Sequence, residues 1–308
     1  MGYRQIFIKQ SYRLSLKNNS LCIRKEESSS EHLFIPLEDI SSIIIEDPHT
    51  VLTVKLLTEL SNYGIAAYLC NEQHLPCTQV LPLNQHYNQL AVYNRQIALS
   101  KHTKEKLWQK IIKAKIYNQF LVSKYTSNNE NINDMLEKYS KSVKMNDKDN
   151  REGISSKVYF SSIFGEGFIR FSSGHISNAL DYGYTVFNNS IVRLLVNYGL
   201  NTYIGIWHQS EKNAYNLASD FIEPFRPLVD YFCYWNQNYL DFPLSTKNRK
   251  DLVNLLNEKI IIDNKSCPIE YAMEVMIKSF LKVLETNDPE FLLLPKIEGV
   301  NFIDEEYI

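Results

Sequence analysis

Cysteine is scarce: five residues in 308 (Cys22, Cys70, Cys77, Cys233, Cys267), odd in number and irregularly spaced. That excludes a disulfide scaffold and fits reduced thiols of an intracellular protein. Cys70, His74 and Cys77 lie close together, but no second pair follows at zinc-finger spacing, so they are read as structural. Glycine and proline are also few, ten of each. No phosphate-cradling glycine loop, nucleophile elbow or dinucleotide fingerprint occurs; Gly165-Glu166-Gly167 lacks the third glycine and the strand-to-helix context. Long apolar runs are missing as well. Arg193 interrupts the richest stretch, and Met-Gly-Tyr-Arg-Gln at the start carries no apolar signal core, while Ile6 spoils a myristoylation match. The expectation is a soluble protein of the bacterial cytoplasm with no membrane partner. A charge excess is missing too. Thirty-three Lys and Arg against 35 Asp and Glu give a net −2, which at face value argues against a simple basic nucleic-acid binder.

At 44% hydrophobic and 22% charged residues the chain can fill a core, and 308 residues suit two domains better than one. The first 83 residues carry strand signals. Leu14/Leu16 and Leu21/Ile23 alternate around Lys17-Asn18-Asn19-Ser20, a hairpin pattern, and Ile43-Ile44-Ile45 reads as a strand buried on both faces. Helical spacing between Val51 and Leu60 ends at Gly64, and residues 65–69 and 78–81 close the unit as strands. After Leu83 the period becomes 3.6: Leu90, Tyr93 and Ile97, then Trp108, Ile111, Ile112, Ile116 and Phe120. Residues 126–151 are polar and read as a surface loop or weak helix. Ile176, Leu180, Gly183, Phe187, Ile191, Leu194 and Tyr198 mark a central helix ending at Gly199. The expected fold is α+β: residues 1–84 a small β-rich, sandwich-like domain with one helix, and residues 85–308 an all-α domain.

Charge placement revises the first inference from the total. Residues 95–119 carry a net +6, including Lys110, Lys113 and Lys115, while residues 270–308 carry a net −6, so the two cancel in the sum. On its own the basic stretch reads as a solvated helix face, a reading that a nearby site needing a polyanion would overturn.

One region could do metal chemistry. His208 follows Ile204-Gly205-Ile206-Trp207, and Asp220 and Glu223 are three apart, so a helical turn would put both carboxylates on one face, with Pro224 kinking or ending that turn. A histidine with carboxylates is a donor set for Mg²⁺ or Mn²⁺, and Arg226 nearby could hold a phosphate oxygen. Separately, each is as readily a core histidine or a surface carboxylate. Glu152, where the polar segment enters a helix, is a candidate third carboxylate.

The motifs R-E-G-I-S-S-K-V-Y-F (151–160), N-A-L-D-Y-G-Y-T-V (178–186), G-I-W-H (205–208) and N-L-A-S-D-F-I-E-P-F-R-P-L-V-D (216–230) resemble the integrase family of CRISPR adaptation. G-Y-R-Q-I-F-I (2–8) and L-W-Q-K-I-I-K-A-K-I-Y-N-Q (107–119) are similar to its type II branch. The resemblance implies metal ligation and catalysis by Glu152, His208 and Glu223, with Asp220 supporting them or ligating occasionally. Other branches carry Asp where this chain has Glu223. It further implies transesterification on double-stranded DNA (prespacer and repeat), in which a 3′-hydroxyl attacks a phosphodiester without ATP, activity falling as His208 is protonated. Arg170, Lys157 and Arg226 are candidate phosphate contacts, and with DNA as the implied substrate the basic stretch bearing Lys110, Lys113 and Lys115 is expected on the DNA-facing side. The implied partners are a second copy in a homodimer, a small second adaptation protein and, in the type II setting, an effector nuclease and an accessory ring protein. The competing readings are a catalytically silent DNA-binding or assembly subunit and an RNA-processing nuclease with the same metal site.

Overall fold

The computed structural model describes residue 2 and residues 4–25, 32–83, 86–127 and 129–299. The 84/85 boundary expected from sequence, and Asp304, Glu305 and Glu306 of the acidic segment, lie outside the described residues. The chain divides into two compact units, residues 1–89 with 196–199, and residues 90–195 with 200–308.

The first unit contains β1 (Arg4–Ile8), β2 (Arg13–Lys17), β3 (Ser20–Arg24), β4 (His32–Pro36), β5 (Ile40–Ile45), β6 (Val51–Leu52), α1 (Val54–Asn62), β7 (Ala66–Cys70) and β8 (Pro76–Val80). They form two four-stranded sheets, ordered β1-β5-β7-β8 and β4-β3-β2-β6. The hairpin β2–β3 turns on Asn18 and Asn19, both at positive φ (49° and 53°), the geometry of a two-residue primed turn. All six residues of β5 are buried, because it lies between the parallel partners β1 and β7. Leu14 and Leu21 from one sheet, Ile43 and Ile45 from the other, and Leu56 and Leu60 from α1 meet in one core, which is the sandwich-like arrangement expected.

The second unit holds α2 (Gln89–Ala98), α3 (Lys101–Thr126), α4 (Glu130–Ser142), α5 (Arg151–Phe164), α6 (His175–Asn197, its last turn counted with the first unit), α7 (Asn216–Ile222), α8 (Arg226–Asn236), α9 (Thr246–Asn254), β9 (Lys259–Ile262), β10 (Lys265–Pro268) and α10 (Ile269–Thr286). A 3₁₀ turn, Glu223–Phe225, joins α7 to α8. The organising element is α3, which packs against α4, α5, α8 and that turn.

Two expectations need correction. The polar segment 126–151 is not mainly a loop: Asn129 caps α4 by accepting from Ile132 N at 3.3 Å, and Leu136 and Ser140 are buried. Helical spacing of Ile132, Leu136 and Tyr139 suffices because α3 supplies the surface they cover. Nor is the second unit all-α. Asp263 and Asn264, both at positive φ, turn β9 into β10, the same hairpin chemistry as Asn18-Asn19. Among the described residues no helix is long and apolar enough to cross a membrane.

Candidate active site

Each candidate side chain is delivered by a distinct piece of local chemistry. Glu152 sits in the first turn of α5. The Asp147 carboxylate accepts from Arg151 N (2.8 Å) and Glu152 N (3.0 Å), and Asn150, at positive φ, caps Gly153 N. Glu223 opens the 3₁₀ turn, whose path is fixed by Pro224 and by Asn118 of α3. The Asn118 amide donates to Pro224 O (2.8 Å) and Pro295 O (3.1 Å) and accepts from Ile297 N. His208 stands on a loop organised by Asp220, which is 0% exposed and accepts from three successive backbone amides: Ile206 N (2.5 Å), Trp207 N (3.2 Å) and His208 N (3.0 Å). Asp220 Oδ1 also lies 2.8 Å from His208 Nδ1. Gly205 admits this approach: a Cβ there would meet His208 O at 2.1 Å and Asp220 Oδ2 at 2.9 Å. Trp108 of α3 stacks on Trp207 (5.4 Å, 6° between planes) and meets His208 edge-on.

The centre of the site is a lysine. Lys115 Nζ lies 2.6 Å from Glu152 Oε1 and 2.5 Å from Glu223 Oε2; the Lys115 and Glu223 side chains are 7% exposed and that of Glu152 36%. Arg226 Nε donates to Glu223 Oε1 at 3.0 Å. Burial alone would pull the Lys115 ammonium down, but Glu223 and Glu152 outweigh it and hold it above its ordinary value. Burial would likewise push Glu223 up, but Arg226 and Lys115 outweigh it and lower its carboxyl to about 2. His208 is raised by its hydrogen bond to Asp220, against the opposing effect of burial.

Lys115, Glu152, Glu223 and Arg226 line a cleft of about 590 Å³ that also takes in Lys157, Arg170, Phe171, Tyr184 and Asp230, while His208 lies outside its lining. Arg170 and Arg226 both place their guanidinium carbons over the Tyr184 ring, at 5.0 Å and 4.5 Å. Arg170 also pairs with Asp181 at 2.7 Å. The Tyr184 hydroxyl donates to Asp230, a carboxyl that burial pushes up to about 6. Burial also raises Tyr184 itself.

The structure thus brings together Glu152, Glu223, Arg226, Lys157 and Arg170 in one cleft, with His208 and Asp220 adjoining through the charge that His208 exerts on Glu223. Asp220 turns toward the 206–208 backbone and not toward the glutamates, which makes it a positioning residue. The basic stretch does not act as one face. Lys115 is internal, and Lys110 Nζ is taken up by Pro289 O (2.9 Å), Glu290 O (3.2 Å) and Glu290 Oε2 (3.1 Å). Lys113 is half-buried, while Lys157 is exposed on the cleft. The cause is helical periodicity: α3 is packed on several sides, so a lysine count along it does not describe one surface.

The sequence reading assigned no role to Asn118, Tyr184 or Asp230, and counted Lys115 toward an exposed basic face, whereas its side chain is buried between Glu152 and Glu223. A signal existed for α3, since Lys115, Asn118 and Gln119 are polar residues at apolar-face positions.

Among the described residues no three His, Cys, Asp or Glu side chains enclose a metal position. The Lys115 ammonium holds the point where Glu152 and Glu223 converge, and buried Glu223 Oε2 makes no aligned hydrogen bond beyond that ionic contact. Two carboxylate oxygens converging on one cation are donors that Mg²⁺ or Mn²⁺ accepts, so Glu152 and Glu223 fit such an ion.

Comparison with known proteins shows the family. The family model described as CRISPR associated protein Cas1 matches residues 6–250. The CRISPR-associated endonuclease Cas1 of Neisseria meningitidis serogroup C (strain 8013) is 35% identical over 299 residues, 96% of this chain and 97% of the relative. CRISPR-associated endonuclease Cas1 1 of Francisella tularensis subsp. novicida (strain U112) is 23% identical over 85% of this chain and 89% of its own. Among solved structures, a casposase bound to integration product superposes with a TM-score of 0.73 at 18% identity, covering 99% of this chain and 95% of the other. A chain of a Cas6-RT-Cas1–Cas2 complex gives 0.72 at 16% identity over 94% of this chain and 36% of the other. At those identities the structural likeness speaks for the fold, and the sequence matches for the family: this chain belongs to the Cas1 family of CRISPR-associated proteins.

Proposed function

We propose that the protein is a metal-dependent DNA endonuclease and integrase that joins short DNA duplexes into a CRISPR repeat array. The observation that carries this reading is the convergence of Glu152 and Glu223 on one cationic position, beside His208, in a cleft edged by Arg170, Arg226 and Lys157. The names of the relatives, endonucleases, and of the structural neighbours, an integration product and a Cas1–Cas2 assembly, support it.

The reaction is an exchange of phosphodiesters. The 3′-oxygen of the incoming duplex forms a bond to phosphorus, the bond from phosphorus to the target strand's 3′-oxygen breaks, and no ATP is consumed. A Mg²⁺ or Mn²⁺ ion held by Glu152, Glu223 and His208 would supply Lewis-acid stabilisation of the charge that builds on the phosphate oxygens. The chain's own groups do the positioning. Arg226, anchored by Glu223 and set over the Tyr184 ring, fixes one wall; Arg170, held by Asp181 and also over the Tyr184 ring, fixes another. Two preoriented guanidiniums suit phosphate oxygens. Asp220 holds the His208 ring through Nδ1, which leaves Nε2 for ligation. Contacts of this kind are to backbone phosphate, so binding is salt-dependent and weakly sequence-specific. The working assembly in this reading is a cytoplasmic homodimer with a small second adaptation protein on double-stranded DNA, joined in the type II setting by the effector nuclease and the accessory ring protein.

The test is joining of a labelled 3′-hydroxyl duplex to supercoiled plasmid, with and without the small partner, in Mg²⁺, Mn²⁺ or EDTA. Joined product that requires metal supports the reading. DNA binding that persists in EDTA, with no joining or cleavage under any metal, favours a silent assembly subunit instead.

A further inference from the structure

We propose that Lys115 is a built-in counter-cation that competes with the divalent metal for the Glu152–Glu223 pair, so that metal enters by expelling its ammonium. The inference rests on the reading of these glutamates as metal ligands. Three observations carry it.

The first is position. Lys115 Nζ contacts one oxygen of each glutamate at 2.6 Å and 2.5 Å, so ammonium and metal would claim the same point. The second is charge. Glu152 and Glu223 are balanced one for one by Lys115 and Arg226, a neutral cluster that lets Glu223 stay ionised while buried. Adding a divalent ion without removing the ammonium would leave two excess positive charges in a site closed to much of the solvent. The third is anchorage. Lys115 rises from α3 between buried Ile111, Ile112, Ile116 and Asn118, so its backbone cannot retreat. Its four-carbon stem can swing, and the adjoining cleft offers room.

The consequence is a metal site that is stable when empty and weak until an anion arrives. A DNA phosphate in the cleft would offset the charge excess and receive the displaced ammonium, so metal and DNA bind with positive coupling.

The experiment measures Mn²⁺ binding by electron paramagnetic resonance, without DNA, for the wild type, Lys115→Met and Glu223→Gln. It is paired with thermal unfolding of each protein with and without Mn²⁺. A competitor that closes most of the sites lowers apparent affinity by the open fraction, so Lys115→Met is expected to bind Mn²⁺ about tenfold or more tightly than the wild type. Its metal-free form is expected to unfold earlier and to be restored by Mn²⁺. Binding in Lys115→Met that is unchanged or weaker, while Glu223→Gln abolishes the wild-type signal, overturns the competitor role and leaves the metal-site reading intact. Absence of Mn²⁺ binding in both the wild type and folded Lys115→Met, or wild-type binding that is unchanged by Glu223→Gln, overturns both. If Lys115→Met does not fold even with Mn²⁺, the wild type decides. Amine labelling of Lys115 followed by mass spectrometry should rise at saturating Mn²⁺, and labelling that stays constant refutes the proposal.

Discussion

Asp220→Asn isolates what holds the histidine loop. Asp220 is 0% exposed and takes four contacts: Ile206 N at 2.5 Å and Trp207 N at 3.2 Å on Oδ2, and His208 N at 3.0 Å and His208 Nδ1 at 2.8 Å on Oδ1. An asparagine keeps one carbonyl oxygen and must turn an amide toward donors on the other side. Two charge-assisted hydrogen bonds are lost, at about 1.5–3 kcal/mol each, so the expected cost is about 3–6 kcal/mol. That is a large share of the roughly 5–15 kcal/mol that keeps a domain folded. His208→Ala, by contrast, leaves all three backbone amides paired and should cost much less. Urea unfolding at pH 7, followed by the fluorescence of the Trp108–Trp207 stack, compares the two variants directly. A midpoint for Asp220→Asn equal to or above that of His208→Ala would refute the claim that Asp220 acts chiefly by organising residues 206–208.

Other outcomes follow from the same geometry. Asp230, raised to about 6 from an ordinary 3.8 by burial, keeps its proton in the folded protein between those values while the unfolded chain has lost it. Stability is therefore expected to fall as pH rises from about 4 to 6, by about 3 kcal/mol in all, and Asp230→Asn should flatten that slope in pH-dependent unfolding. Gly205→Ala places a Cβ 2.1 Å from a backbone oxygen, so the loop must shift; strand transfer is expected to fall at least tenfold with metal binding weakened, both read in parallel. Lys157→Glu should weaken DNA binding and reduce its salt slope by about 1 or more, while Lys110→Glu should lower the melting temperature without changing that slope, because Lys110 is spent on residues 289–290.

Much of the fold was legible because strong local signals agree with the tertiary answer. Asn18-Asn19 specifies a primed turn, the run ending in Ile43-Ile44-Ile45 has the character of a strand buried on both faces, and Gly64 and Gly199 stop helices at positive φ. Residues 126–151 stood between a surface loop and a weak helix because the stripe of Ile132, Leu136 and Tyr139 is thin in a polar background, and the surface of α3 is what stabilises α4. The β9–β10 hairpin was missed although Asp263-Asn264 follows a branched run, a pattern like the one that revealed the first hairpin.

The candidate site divides in the same way. Chain proximity joins His208, Asp220, Glu223 and Arg226; its place at a helix entry made Glu152 a candidate, and the resemblance grouped it with His208 and Glu223. Lys115 and Asn118 were invisible as members of the site, because what makes them so is the packing of α3 against the Glu223–Phe225 turn, some hundred residues away in sequence. The same contact turned a lysine counted toward a DNA-facing surface into the internal partner of two glutamates. Net charge along a helix cannot distinguish those fates; the helical period, taken with the polar break in the buried face, can.

The central claim is that Glu152, His208 and Glu223 together hold the ion on which strand transfer depends. The most direct measurement compares joining of a 3′-hydroxyl duplex to plasmid by the wild type and by Glu152→Ala, His208→Ala and Glu223→Ala, in Mn²⁺, with circular dichroism confirming the fold of each. Product is expected from the wild type alone, abolished by EDTA. Product from any of the three folded alanine variants, or from the wild type in EDTA, would contradict that claim.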